Sequence, residues 1–182
     1  MTLRQPKKSD WKDVVEGAGE YDIAKMTTGI PYPYKKKDAL KWINKSIKKW
    51  GGESYPFVVE LKSEKKVIGC MEIHHIDKFS NKANTGSWIN KKYWNKGYIT
   101  EAKIAVNDFA FNKLKLRKLN SKIFKDNKAP NAVQRKIGYT LEGMQRKESK
   151  DPATGKIHDA NLYGLLKEDW KKAKPKLIKR DQ

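Results

Sequence analysis

A glycine in a turn between a predicted strand and a predicted helix is the residue of this sequence most suited to chemistry. Gly97 follows a β-rich stretch that ends at Asn90 and begins a helical pattern over residues 97–115. Glycine lets several backbone N–H groups converge, and the first turn of a helix adds free N–H groups and a positive dipole end. Such a turn can bind a phosphate or pyrophosphate. The pattern alone is equally compatible with a glycine that relieves a tight turn.

The elements before this turn are mostly β-rich. Strands are predicted at Thr2–Arg4, Tyr55–Leu61, 67–76 and 85–90. Apolar residues spaced by three and four predict an amphipathic helix that ends at Gly51: Leu40, Ile43, Ile47 and Trp50. A shorter helix is predicted around Trp11 and Val14, and Gly17 weakens its continuation. Successive strands joined by short turns are most simply antiparallel.

The elements after the turn predict a parallel crossover. One face of the helix carries Ile99, Ala102, Val106, Phe109 and Ala110. A strand is then predicted at Lys118–Phe124, so a helix connects two strands. A second helix over residues 130–136 stops at Gly138, and residues 139–147 and 156–166 can form a final hairpin. The sequence therefore predicts a mixed α/β (α+β) fold built on one sheet.

Composition limits the class of protein. The 182 residues suffice for one core, and we predict a single domain over residues 1–170 and a fraying basic end over residues 171–182. A net charge of +20 predicts a solvated basic surface that attracts polyanions non-specifically, with a dedicated nucleic-acid groove as the alternative. Cys70 is the only cysteine, which fits a reducing cytoplasm. We find no membrane span or signal peptide and expect a soluble cytoplasmic protein.

The segment around Gly97 resembles the pyrophosphate loop of the GNAT superfamily of N-acetyltransferases. It reads Tyr93-Trp94-Asn95-Lys96-Gly97-Tyr98-Ile99-Thr100-Glu101-Ala102. It is most similar to the RimJ/RimL-like branch, which acetylates the N-terminal amines of ribosomal proteins. Further matches to that branch follow in order: Leu3-Arg4 with Ser9-Asp10, Ile30-Pro31-Tyr32-Pro33-Tyr34 with Asp38-Ala39, Asn127, Lys136-Ile137-Gly138-Tyr139 with Glu142-Gly143, and Asp159 with Tyr163, Leu165, Leu166 and Trp170. The resemblance implies the GNAT fold, a mixed sheet of about six to seven strands with helices on both faces.

The resemblance also implies how acetyl-coenzyme A (acetyl-CoA), the acetyl donor, is bound. Main-chain amides of the loop hold its pyrophosphate, at Asn95, Lys96, Gly97, Tyr98, Ile99 and Thr100. The pantetheine runs along a splayed strand end at Trp88, Ile89 and Asn90. A backbone N–H there can polarise the thioester carbonyl. Asn127 reaches the donor from the next parallel strand. Three nearby residues either meet the adenine end or lie on an ordinary solvated helix face: Lys128, Asn131 and Arg135.

Glu72 is the expected general base, since members of the family often use a glutamate on this strand. His74 lies two residues further on the same strand face, and its ordinary pKa of about 6.5 suits proton transfer. Whether either acts directly or through a water relay stays open. His75 is expected to point to the opposite face. His158 and Asp159 also point apart, so a dyad between them is not expected.

The proton donor to the departing thiolate has several candidates. Where many relatives place a tyrosine, this chain has Gln134, and an amide is a poor proton donor. A position that is often serine in this branch is Pro130, which carries no hydroxyl. Tyr139, Tyr163 and water remain, although each tyrosine also fits the role of a buried aromatic residue.

The resemblance therefore predicts direct acetyl transfer from acetyl-CoA to an amine, without a metal. The expected acceptor is the N-terminal α-amine of a protein, such as a ribosomal protein, entering near Tyr32, Tyr34 and the final hairpin. The alternative within enzymes is a small amine: an aminoglycoside, a polyamine or an amino acid. The alternative outside enzymes is a basic nucleic-acid-associated binding module. Oligomeric state does not follow from the sequence.

Overall fold

The computed structural model describes residues 1–178 and contains a seven-stranded mixed sheet in the order β1-β2-β3-β4-β5-β7-β6. The strands are β1 (Thr2–Arg4), β2 (Tyr55–Leu61), β3 (Lys66–Asp77), β4 (Lys82–Ile89), β5 (Lys118–Phe124), β6 (Thr140–Lys150) and β7 (Ile157–Leu166). Within these residues β4 and β5 are the one parallel pair, and the other neighbours are antiparallel. The predicted mixed sheet with one helical crossover is confirmed.

Six α-helices accompany the sheet in this part of the chain: α1 (Trp11–Ala18), α2 (Tyr21–Ala24), α3 (Lys36–Lys49), α4 (Tyr98–Asp108), α5 (Lys128–Lys136) and α6 (Lys167–Ile178). The helical pattern over residues 97–115 divides into α4 and a π-helical segment, Phe109–Lys113. Helix α5 begins two residues before the predicted start, because Pro130 is tolerated in a first turn, where its missing N–H costs no helical bond. None of the helices described is long and apolar enough to cross a membrane.

Helices pack on both faces of the sheet, as predicted. On one face α4, α5 and α6 cover the larger apolar cluster, which includes Met71, Ile73, Leu119, Ala102, Val106, Ile137 and Trp170. On the other face α1 and α3 cover a smaller cluster of Val58, Val67, Cys70, Val14, Ala39 and Ile43. Cys70 and Met71 are neighbours on β3 and belong to opposite clusters, which is the two-residue alternation of a strand.

The prediction that the basic C-terminal end frays is not met over residues 171–178. These residues continue α6, whose Trp170 and Leu177 are buried in the larger cluster. The Trp170 indole N–H donates to Asp108 at 3.2 Å, and Lys174 forms an ion pair with Asp108 at 2.8 Å. Two apolar anchors seven residues apart hold this stretch on the fold. Residues 179–182 lie outside the described residues.

Helix α1 approaches the sheet closely at Gly17. A β carbon at this position would lie 2.4 Å from Cζ3 of the Trp88 indole, so only glycine permits the contact. Helix α1 extends through Gly17 to Ala18, although glycine is a poor helix former. Packing on Trp88 therefore outweighs the local preference that Gly17 introduces.

Candidate active site

A gap between β4 and β5 forms the centre of the site. The two strands pair only from Lys82 to Asn84 on β4, opposite Lys118 to Asn120 on β5. The Thr85 hydroxyl donates to the Asn120 carbonyl at 3.2 Å, and beyond it the described strands share no further pairing. The gap opens into a cleft of about 1010 Å³ that both strands line, together with α3 and the segment before it. We call the Thr85 and Asn120 end the closed end of the gap.

Backbone N–H groups of β4 face this gap. The Asn90 N–H donates to the Ile68 carbonyl on β3 at 2.8 Å. Since alternate residues of a strand turn their polar groups to opposite sides, the N–H groups of Ile89 and Ser87 point away from β3, towards the gap. The Ile89 carbonyl is held on that side by the Trp94 indole N–H at 2.6 Å. These N–H groups can stabilise negative charge that develops on an oxygen in the gap.

Two of the three residues predicted at the splayed strand end contribute to structure through their side chains. The Asn90 side chain is buried, and its Oδ1 accepts from the Lys92 N–H at 3.0 Å, which shapes the turn after β4. The Trp88 ring packs against Gly17 of α1, although the residue also lines the cleft. The Asn90 main-chain N–H is already paired with β3, so Ile89 offers the free amide at this end.

The predicted pyrophosphate loop lies at the open end of the gap, directly after β4. Gly97 has a φ of +82° and Asn95 a φ of +61°, and Gly97 is the N-cap of α4. The Gly97 carbonyl accepts from Thr100 and Glu101 at 2.9 and 3.1 Å. Among the described residues, no main-chain acceptor pairs with the N–H groups of residues 96–99. A β carbon on Gly97 would meet nothing within 4 Å. Free donors, open space and the helix dipole suit a pyrophosphate.

Glu72 and His74 both line the cleft from β3. Burial raises the pKa of the Glu72 carboxyl above its usual range, and the nearby Ser54 and Lys45 act in the opposite direction. Burial, aided by His75, lowers the pKa of His74 to about 4. At neutral pH His74 is therefore uncharged, and Glu72 is the better placed of the two to take up a proton.

The prediction that His75 points away from His74 is wrong. The pairing of β3 with β4 is irregular between His74 and Asp77, and His75 has a φ of +49°. This bulge breaks the two-residue alternation and turns the His75 ring towards its neighbour. The Nδ1 atoms of the two rings lie 3.1 Å apart, and His75 also lines the cleft.

The two tyrosines predicted at the acceptor entrance separate in the structure. Tyr34 lines the cleft, and burial raises the pKa of its hydroxyl well above the usual range. Tyr32 is 43% exposed, does not line the cleft, and stacks edge-on against Tyr21 with ring centroids 5.4 Å apart. The structure thus brings Tyr34, and not Tyr32, to the same cleft as Glu72.

Helix α5 contributes one predicted residue to the cleft and uses another for structure. Asn127, the N-cap of α5, lines the cleft and makes no side-chain capping bond. Asn131 fits neither predicted role, because it is only 4% exposed and its side-chain amide is fully hydrogen-bonded within the protein. The amide bonds the carbonyls of Phe124 and Asn127, the Asn161 amide and the Tyr163 hydroxyl. Arg135 donates to the Tyr163 hydroxyl at 3.0 Å. Lys128 is exposed.

The candidate proton donors are buried and already engaged. The Tyr163 hydroxyl donates to Asn131 at 2.9 Å, and the Tyr139 hydroxyl donates to Asn107 at 3.2 Å. Tyr163 lines the cleft, and Tyr139 does not. Burial raises the pKa of Tyr139 well above its usual range. Gln134 is fully buried, and both atoms of its amide lack a hydrogen-bond partner in the described residues.

Two buried groups escaped the sequence analysis. His158 pairs with the buried Asp151 of the β6–β7 turn at 3.0 Å, and its ring stacks on Phe124. Asp159 instead accepts a hydrogen bond from the Lys147 N–H. Lys103 of α4 is 4% exposed and lines the cleft. Its spacing was a signal, since it lies four residues after Ile99 on the apolar side of the predicted helix.

Comparison with known proteins decides the family. The sequence profile described as the Acetyltransferase (GNAT) domain matches residues 1–140. The chain belongs to the GNAT acetyltransferase family. This acetyltransferase is 23% identical over 172 residues to "Uncharacterized N-acetyltransferase p20" of Bacillus licheniformis, across 93% of this chain and 94% of the relative. It is 33% identical over 104 residues to "Putative ribosomal N-acetyltransferase YdaF" of Bacillus subtilis (strain 168), across 57% and 56%. It is also 33% identical over 87 residues to "Spermidine N(1)-acetyltransferase" of Escherichia coli (strain K12), across 48% and 46%.

Solved structures share the fold of this acetyltransferase. The acetyltransferase MccE, crystallised with acetyl-CoA and AMP, superposes with a TM-score of 0.79 at 21% identity and covers 91% of both chains. The likeness shows the fold alone. Family membership makes the protein an N-acetyltransferase whose acetyl donor is acetyl-CoA. The alternative of a non-enzymatic binding module is therefore wrong.

Proposed function

We propose that this acetyltransferase transfers the acetyl group to the N-terminal α-amine of a protein, with a ribosomal protein as the expected class. The charge of the cleft wall supports this choice over a polyamine. Four lysines line the cleft, against three carboxylates at Asp38, Glu72 and Glu142. Glu142 is neutralised by Lys118 at 2.7 Å. A polyamine carries several positive charges and is best bound by an excess of carboxylates, which this wall lacks.

The size of the cleft agrees with a polypeptide acceptor. Its volume of about 1010 Å³ lies at the upper end of the range for small-molecule pockets, about 300 to 1000 Å³. The pantetheine of the donor and the first residues of a polypeptide can share that space. The net charge of +20 also favours a target on a polyanionic assembly such as a ribosome, because it accelerates encounter.

The donor site is assigned to the gap and its open end. The free N–H groups of residues 96–99 would hold the pyrophosphate, the Ile89 N–H would face the thioester oxygen, and Asn127 would contact the donor from α5. The bound donor supplies an activated acetyl group. Tyr34 would border the entering acceptor, while Tyr32 acts at most indirectly. Glu72 would receive the proton of the attacking amine, with His74 beside it as a neutral relay.

The test is a turnover screen with acetyl-CoA. Peptides with different first residues are compared with spermidine, an aminoglycoside and free amino acids, and products are read by thiol release and intact mass. We expect one acetyl group on a peptide α-amine and none on a matched peptide whose α-amine is blocked but whose lysine is free. Turnover of spermidine with no peptide product would make the small-amine alternative correct. A cytoplasmic location, suggested by the single Cys70, remains a prediction that cell fractionation can test.

A further inference from the structure

Lys103 is a buried cation without a counter-charge. Only 4% of its surface is exposed, and among residues 1–178 neither a charged partner nor a hydrogen-bond partner contributes to its pKa shift. Burying an ammonium without a partner is unfavourable, and such groups usually mark a functional site. Burial lowers the pKa of Lys103 to about 8, and no other cause contributes. The side chain lines the cleft, so a bound molecule can supply the missing partner.

Lys103 shares the cleft into which the gap between β4 and β5 opens. The same cleft wall contains Ser87 of β4, whose N–H faces the gap, and Thr85 and Asn120 at the closed end. The pyrophosphate loop lies at the opposite, open end, after β4. An extended pantetheine that begins at the loop and runs along β4 therefore brings its sulfur past the gap-facing N–H groups of Ile89 and Ser87, into the cleft that Lys103 lines. This step rests on the donor placement given under the proposed function.

The geometry points to Lys103 as the acid that protonates the coenzyme A thiolate when it leaves. The acceptor nitrogen forms a bond to the acetyl carbon, and the carbon–sulfur bond breaks with its electron pair on sulfur. The Lys103 ammonium gives one proton to that sulfur and becomes a neutral amine. The acceptor nitrogen loses its extra proton to Glu72, and solvent returns a proton to Lys103. Acetyl-CoA is a substrate here, so the step belongs to the turnover of the enzyme.

Other groups near the reaction are less suited to this role. The Tyr139 and Tyr163 hydroxyls donate to asparagines, and the Gln134 amide has no acidic proton of suitable pKa. The pKa of Lys103 lies close to the value of about 8.5 for a cysteine thiol, which suits proton exchange with sulfur. The titratable groups that share the cleft are Tyr34, Asp38, Lys41 and Lys45 around α3, Cys70, Glu72, His74 and His75 on β3, Lys122 on β5, Glu142 on β6 and Tyr163 on β7.

The decisive variant is Lys103→Met, since methionine is unbranched and removes only the buried charge. The primary measurement needs no acceptor: coenzyme A is bound to each protein and its thiol is titrated by ultraviolet thiolate absorbance. A neighbouring ammonium stabilises the thiolate, so the bound thiol should titrate at least about one pH unit lower in the wild type than in Lys103→Met. Lys113→Met, which removes an exposed lysine from the π-helical segment after α4, is the control and should match the wild type.

Turnover supplies the second measurement. With the best acceptor from the screen, Lys103→Met should lose about 10² to 10⁴-fold in single-turnover rate while retaining its affinity for acetyl-CoA. The wild-type rate should fall above about pH 8 as Lys103 deprotonates, and the variant should lack that fall. The inference is overturned if the bound thiol titrates at the same pH in the wild type and in Lys103→Met. It is also overturned if mass spectrometry finds an acetyl group on Lys103, because Lys103 would then act as a nucleophile. If the wild type acetylates no acceptor, the proposed function fails, and the thiol titration still decides the role of Lys103.

Discussion

The Nδ1 atoms of His74 and His75 lie 3.1 Å apart, although neighbouring residues of a regular strand point to opposite faces. One nitrogen must donate and the other accept, so the arrangement cannot hold two charged rings. Burial is the larger cause that lowers the pKa of His74 to about 4, and His75 adds to it. Burial, together with the His75 ring that the bulge in β3 turns inward, thus keeps an uncharged imidazole near Glu72 at neutral pH.

We expect His74 to make the fold sensitive to acid. An unfolded histidine titrates near pH 6.5, about 2.5 units above the folded value, so the unfolded state binds more protons between these pH values. Stability should therefore fall as the pH is lowered from about 6.5 to about 4, and His74→Asn should flatten that fall. Denaturant unfolding across this range measures it. His75→Asn is the control and should keep most of the fall in stability with pH, because burial is the larger cause of the lowered His74 pKa. The same pH dependence in His74→Asn as in the wild type would contradict the assignment.

Glu72→Gln should remove the proton acceptor while preserving its shape. We expect a loss of about 10² to 10⁴-fold in turnover with unchanged acetyl-CoA affinity, since general-base catalysis contributes on that order. Because burial raises the pKa of Glu72, the wild-type rate should rise with pH as the carboxyl and the acceptor amine lose protons. Glu53 is an exposed glutamate that lines a smaller pocket together with Glu72 but does not line the cleft, so Glu53→Gln should retain full activity. If Glu72→Gln keeps normal turnover and His74→Ala does not, the base is His74.

Gly97→Ala should weaken acetyl-CoA binding, because its β carbon occupies open space that the pyrophosphate is expected to fill. Gly51 offers a matched control, because its φ of +83° equals that of Gly97 within a degree and a β carbon there also meets nothing within 4 Å. Both variants should lose roughly 1 kcal/mol of folding stability from the left-handed backbone. Only Gly97→Ala should lose acetyl-CoA affinity, by about tenfold, and Gly97→Trp should lose more. Calorimetry that finds equal affinities in folded Gly97→Ala and Gly51→Ala would remove the loop assignment.

Gly17→Ala should destabilise the fold by about 1 to 3 kcal/mol, because the new methyl group collides with Cζ3 and Cη2 of Trp88. Phenylalanine lacks these atoms, so Gly17→Ala should cost much less in a Trp88→Phe background. Thermal unfolding of the four proteins gives the coupling between the two sites. Gly29→Ala, where a β carbon meets nothing within 4 Å, should be near neutral. Additive effects of the two changes would contradict the proposed collision.

Local patterns along the chain are sufficient to predict the order of the elements and the position of the glycine loop. β-rich composition identified the strands. Apolar spacing of three and four residues identified α3 and α4, because this period reflects how a helix presents side chains to a core. The strand, glycine and helix around Gly97 are also neighbours in the chain. Their geometry follows from local backbone preferences, and the φ of +82° at Gly97 is a conformation that glycine permits.

Features of the site that depend on contacts between distant segments do not follow from these local patterns. The bulge that turns His75 arises from the pairing of β3 with β4, and Asn131 is buried by Phe124, Asn161 and Tyr163, which no local pattern reveals. The closed end of the gap depends on where β4 and β5 cease to pair, and Lys103 becomes a buried cation only when α4 packs beneath them. Local periodicity identifies which side of a helix is buried, whereas long-range packing determines whether a charge on that side finds a partner or a cleft.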